Sequence, residues 1–165
     1  MSALKHPIIN LDALKTAGFS HGESFGAESS RIGPQIGMKQ LGCSIFIVPP
    51  GKRAGPFHNH HAIEEAMVIL AGEGEYRFGE DTHPVRAGDV VTAPAGGQDT
   101  AHQLINTGVK ELKYLCFSTK PKVDVVEYPD SGKVGADVFE NPAEGTAPFV
   151  HRAHAQEIDY WEGEE

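Results

Sequence analysis

The sequence predicts an all-β domain of antiparallel strands, arranged as a sandwich or barrel. Three observations carry this. Nineteen glycines and eleven prolines punctuate the 165 residues, recurring every few positions between 33 and 108. Between them lie short runs rich in Val, Ile, Phe and Thr, the composition of strands bounded by turns. No long segment shows the 3.6-residue apolar period of a helix.

The runs are taken in chain order. Residues 39–48 place Leu41, Cys43, Ile45 and Ile47 on one face of a strand, and 67–70, 75–78, 90–93, 102–106 and 112–118 follow. Gly79-Glu80-Asp81 has the composition of a hairpin turn. Helical expectations are short: 11–16, capped by Asn10 or Asp12, and 151–158 near the end. Residues 1–38 are expected as an irregular N-terminal arm, 39–120 as the barrel core, and 121–165 as an acidic C-terminal extension packed on the same domain.

Composition narrows the class. Charged residues make up 22% and hydrophobic residues 39%, the balance of one globular domain. The net charge of −9 is concentrated late: residues 1–120 carry 11 Lys+Arg against 12 Asp+Glu, and 121–165 carry 3 against 11. An acidic extension disfavours nucleic acid and anionic membrane as partners. The absence of an apolar leader and of a long apolar run implies a cytoplasmic protein with no membrane span. Cys43 and Cys116 read as two reduced, buried thiols, with a disulfide between neighbouring strands as the alternative.

The chemistry concentrates in Phe57-His58-Asn59-His60-His61-Ala62-Ile63-Glu64-Glu65. On a strand His58 and His60 aim two imidazoles into one space while Asn59 points away. A carboxylate arriving from the next strand completes the donor set of a divalent-metal site, and His102, at the start of a later run, offers a fourth ligand.

The stretch from Gly51 to Gly72, with its HxH pair, its glutamate and its closing glycine, resembles the first motif of the cupin family. Gly88, Pro94, Gly96, His102 and Asn106 resemble the second motif. The resemblance covers roughly residues 40–118. It implies a jelly-roll, the antiparallel double-stranded β-helix, holding one divalent transition metal ion (Mn, Fe, Zn or Ni) on His58, His60, Glu65 and His102. Glu65 rather than Glu64 is the ligand, because six residues separate it from Gly72 and because Glu65, Met67 and Ile69 share one strand face. Five residues separate Gly96 from His102 where the family has two, a count that would favour Asp99. The spacing from His102 to Asn106 favours His102.

The resemblance extends to single-domain bacterial cupins described as sugar-phosphate isomerases. It implies a small metalloenzyme acting on a polar metabolite, with a non-haem iron dioxygenase or a non-catalytic sugar- or effector-binding cupin as alternatives. Lys52 and Arg53 are candidates for an anion clamp at the mouth, against a solvated turn. Tyr76 and Gln98 are further substrate-binding candidates, Tyr76 against a role in core packing. His61, His83, His151 and His154 read as solvated. A homodimer is expected, through sheet edges or an exchanged N-terminal arm. Ile158 and Trp161 are expected to dock on the barrel or on a partner subunit, since burying such side chains yields about 1.5–3 kcal/mol each.

Overall fold

The computed structural model describes residues 6–140 and 149–164. In chain order the strands are β1 (Ala17–His21), β2 (Phe25–Arg31), β3 (Leu41–Val48), β4 (Asn59–His60), β5 (Glu65–Ala71), β6 (Glu73–Phe78), β7 (Asp81–Arg86), β8 (Val90–Ala93), β9 (His102–Ile105), β10 (Leu112–Thr119), β11 (Val123–Tyr128), β12 (Lys133–Val138) and β13 (Phe149–His154). One short helix, α1 (Gly33–Ile36), follows β2. All strand pairings between these elements are antiparallel. The sheets run β1-β2-β3-β10-β5-β8, β7-β6-β9 and β13-β12-β11-β4. The all-β expectation holds, and the six runs read from the sequence each fall within a strand or extend it by a residue or two.

Alternation builds two apolar layers on the six-stranded sheet. Inward, Val48, Met67, Ile69, Leu112 and Tyr114 meet Tyr76, Val85 and Leu104 of the three-stranded sheet. Outward, Cys43 and Ile45 of β3 and Leu115 and Phe117 of β10 pack under Ile9, Leu11, Leu14 and Ile36. The apolar face of β3 that includes Cys43 and Ile45 is therefore turned to the N-terminal segment, not to the interior. Central strands with both faces covered accept apolar residues at consecutive positions, as Ile45-Phe46-Ile47-Val48 shows.

Two glycines are required by geometry. Gly72, between β5 and β6, sits at φ +82°, and a Cβ there would lie 2.3 Å from the Glu111 carbonyl oxygen. Gly79 opens the two-residue turn between Phe78 and Asp81 at φ +55°, the positive φ that tight hairpins demand. Asn106, fully buried, closes the other end of the core. Its Nδ2 donates to the carbonyls of Val48 (2.7 Å) and Lys110 (2.8 Å), and its Oδ1 accepts from Gly108 N–H (3.0 Å).

Three expectations need correction. The arm taken as irregular contains the β1–β2 hairpin, and β2 adds to β3 from Glu28↔Ile47 to Arg31↔Ser44. Its polar sequence hid a strand whose role is to pair the backbone of β3. The helix expected at 11–16 shrinks to a 3-10 turn at Leu11–Ala13, capped as foreseen by Asn10 Oδ1 on Asp12 N–H. The first half of the helix expected at 151–158 is instead strand: Phe149 to His154 form β13 and pair with β12, and Arg152 forms a two-pronged ion pair with Asp137. The cysteines are free thiols, as expected, with Cys43 opposite Phe117 and Cys116 opposite Ser44.

The tail differs as well. Ile158 and Trp161 are 60% and 70% exposed, so neither docks on its own barrel. Trp161 instead meets Tyr160 edge-on at 4.8 Å. Trp161, the sole tryptophan, is therefore expected to emit like indole in water and to be readily quenched by iodide. Blue-shifted, quencher-resistant emission would show the ring buried in solution.

Candidate metal centre

His58 and His60 flank Asn59 at β4, and Glu65 opens β5 after the turn at 61–64. One ligand atom from each of His58, His60 and Glu65 lies within 4.8 Å of the other two. Asn59 points the opposite way, as alternation requires. It is fully buried, and its Nδ2 donates to Gly96 O (2.9 Å) and Glu127 Oε2 (3.0 Å). Glu64 is exposed, its N–H held by Thr119 Oγ1, so the two adjacent glutamates separate as the strand face predicts.

The two imidazoles are held by their Nδ1 atoms. His58 Nδ1–H donates to Pro56 O at 2.9 Å, and a carbonyl can only accept. His60 Nδ1–H donates to Asp124 Oδ2 at 2.5 Å. Each ring therefore presents Nε2 as a lone pair, the tautomer that a metal ion needs. His102 reaches Glu65 through Nε2 at 3.1 Å, with its ring centre 4.6 Å from His58 and 6.3 Å from His60. It adjoins the convergent trio without being part of it, and its Nε2–H is spent on Glu65. Asp99, the competing reading, lies exposed in the 3-10 turn at Gln98–Thr100.

Electrostatics suit a cation. Burial lowers the His58 pKa to about 4, reinforced by His102 and His60 and opposed by the Pro56 hydrogen bond. Burial alone would raise the Glu65 carboxyl, but the His102 hydrogen bond and the three neighbouring histidines outweigh it and leave it lowered. A neutral imidazole beside an ionised carboxylate is the donor state required for coordination. Around them lies a cavity of ≈ 170 Å³ lined by Phe46, Met67, Leu104, Tyr114 and Cys116. Burial, reinforced by the Glu65 charge, raises both the Cys116 thiol and the Tyr114 phenol. Cys116 S–H points at Glu65 Oε1 from 3.6 Å. The cavity thus pairs one anion with neutral protic groups.

The candidate substrate residues scatter. Tyr76 is core: it is 5% exposed and its hydroxyl donates to Thr92 O at 2.7 Å. Gln98 is exposed and bonds Glu127. Lys52 Nζ donates to the Glu23 carbonyl, and Lys52 is not among the residues that line the groove with Arg53. Arg53 alone faces open space, in a groove beside the cavity. His61, expected in solvent, is half exposed and bonds Glu127 at 3.1 Å.

Asp124 escaped the sequence reading although its signal was present. Asp124 alternates in phase with buried Val126 and stands among Val123, Val125 and Val126, so a carboxylate was aimed inward. It is 1% exposed and accepts from Ala62 N–H as well as from His60. β11 carries it, paired to β4 by Val126↔His60 and Glu127↔Asn59.

The metal-free protein should lose stability as pH falls from 6.5 toward about 4. In that window the unfolded chain protonates a histidine at its ordinary value of 6.5 while folded His58 resists, so unfolding takes up a proton. Urea midpoints of chelator-treated protein at stepped pH check this, and His58→Gln should flatten the slope. An unchanged slope in the variant would contradict the burial of a neutral His58.

Residues 44–118 match the family described as the cupin domain. Auxin-binding protein 1 of Arabidopsis thaliana is 31% identical over 57% of this chain and 50% of that protein. The oxalate-binding protein of Thermotoga maritima is 35% identical over 41% of this chain and 53% of that one. The aligned part thus spans about half the length of these curated relatives. Among solved structures, a candidate sugar phosphate isomerase of Acidithiobacillus ferrooxidans superposes with a TM-score of 0.77 at 22% identity, over 92% of this chain and 96% of that one. A sugar phosphate isomerase from a cupin superfamily, of Silicibacter pomeroyi, gives 0.75 at 20% identity, over 90% and 92%. At such identities these two share the fold. Among the described residues no helix is long and apolar enough to cross a membrane. The HxH pair, the inward glutamate, the antiparallel sheets and the domain match agree: residues 44–118 of this chain are a cupin domain.

Proposed function

We propose that the chain is a divalent-metal cupin acting on a small polar metabolite, of the sugar-phosphate-isomerase kind. The observation that carries it is the convergence of His58, His60 and Glu65 within 4.8 Å, with both Nδ1 atoms already engaged. When bound, the ion would act as a Lewis acid on a substrate oxygen. His58, His60 and Glu65 would hold it, and His102 would join them with its proton on Nδ1, which faces the Thr100 carbonyl at 3.4 Å, leaving Nε2 free to coordinate. Phe46, Met67 and Leu104 keep the space around the site apolar, where a hydrogen bond or charge acts more strongly than in water. Tyr114 lines that space as a neutral phenol, able to donate to a substrate oxygen. The names of the two superposed solved proteins support the substrate class. A dioxygenase remains the second reading, since a trio of two histidines and one carboxylate also suits iron.

Elemental analysis of protein purified without immobilised metal tests the centre, and an aldose–ketose panel of sugar phosphates tests the reaction. His58→Ala and His60→Ala should each lose the metal while the chain stays folded by circular dichroism. Glu65→Gln should weaken metal binding far more than Glu64→Gln, and equal effects would remove Glu65 from the ligand set. Asp124→Asn should lower metal affinity by roughly 10–100-fold, because it releases the His60 ring without touching the ion. Competition with a chelator of known affinity measures it.

A further inference from the structure

Outside the cavity, a groove of ≈ 400 Å³ lies between the β1–β2 hairpin and the turn at Pro129–Ser131. It shares Ala54, Pro56 and Gln103 with the metal cavity, so the two spaces abut. Two buried polar atoms among its lining residues lack partners: Arg53 Nε, a donor, and Gln103 Oε1, an acceptor. Buried polar atoms are nearly always satisfied, and those that are not point to a missing partner.

The orientation of the Gln103 amide follows from its other bond. Gln103 is 4% exposed and its Nε2 donates to Gly55 O at 2.8 Å. Turning the amide over would set oxygen against oxygen, so Oε1 stays an acceptor in want of a donor. Arg53 is equally constrained. Its backbone N–H donates to Ser24 O and its carbonyl accepts from Gly26 N–H, both at 3.1 Å, while the guanidinium lies 5.4 Å over the Phe25 ring.

The charge of the groove is positive in effect. Lys133 lies along it, and the one carboxylate among its described lining residues, Asp130, is taken by both terminal nitrogens of Arg77 at 2.7 and 2.9 Å. That same guanidinium stacks 3.6 Å over Phe57, another wall of the groove. A guanidinium with no carboxylate partner among the described residues, a lysine, an orphan acceptor and phenylalanine rings together suit one kind of occupant.

We propose that this groove holds the far end of the substrate, a hydroxylated organic anion. Its phosphate or carboxylate pairs with Arg53 and Lys133, and one of its hydroxyls donates to Gln103 Oε1. This rests on the reading that the reacting end sits in the cavity, but the groove is complete without the metal and is testable without it.

Calorimetric titration of chelator-treated protein with ribose 5-phosphate, gluconate, ribose and inorganic phosphate tests it. The first two should bind, in an order that tells phosphate from carboxylate, and ribose should bind at least about tenfold more weakly. Arg53→Gln should weaken both anions about tenfold or more. Gln103→Leu should weaken the hydroxylated anions and leave inorganic phosphate unchanged. Metal content of each variant, measured separately, should match the wild type, so loss of the metal centre and failure of the groove are told apart. If neither anion binds, or if Arg53→Gln binds them as the wild type does, the groove holds water only and the proposal falls.

Discussion

The buried hydrogen bond from His60 Nδ1 to Asp124 Oδ2 is the constraint on which the site depends. It joins residues 64 apart in sequence and ties the C-terminal extension to the strand that carries the HxH pair. A carboxylate with no exposed side-chain area is costly to bury unless its lone pairs are met. Here the backbone N–H of Ala62 meets one oxygen and the imidazole the other. The bond also selects the tautomer of His60, and with it the direction in which Nε2 faces. A segment that composition marks only as an acidic appendage is therefore part of the ligand support.

The interior of the cavity follows one electrostatic rule. Burial penalises charge, so Tyr114 and Cys116 are held protonated and His58 is held neutral. Glu65 escapes because His102 donates to it and three imidazoles surround it. The result is a single negative charge among neutral donors, a setting that favours a cation and an oxygen-bearing ligand together. Outside, Arg77 cancels Asp130 and leaves Arg53 uncompensated, so the outer groove carries the opposite sign to the cavity.

Much of this was legible in the sequence where neighbours in the chain decide the outcome. Glu65 faces inward and Glu64 outward because alternation along a strand is local. His102 lies beside the trio and Asp99 does not, in line with the spacing to Asn106. The errors share a cause. Residues 25–31 are polar enough to pass for a loop, and they become a strand only because β3 presents an edge to pair. Residues 151–154 lie where a helix was expected, and β12 recruits them into a strand. Lys52 and Arg53 are adjacent and chemically alike, but the Glu23 carbonyl claims the lysine, while the arginine lies over Phe25 with its Nε unpaired.

By itself the sequence determined six of the strands, the opposite faces of Glu64 and Glu65, and which two imidazoles and one carboxylate share a space. These depend on a two-residue period that any strand obeys. The tertiary structure alone decided that Asp124 holds His60, that His102 is spent on Glu65, and that Gln103 and Arg53 keep unpaired atoms in one groove. A hydrogen bond is made or missed over about an ångström, and the register that sets such distances joins segments dozens of residues apart. No local period in the sequence carries that information.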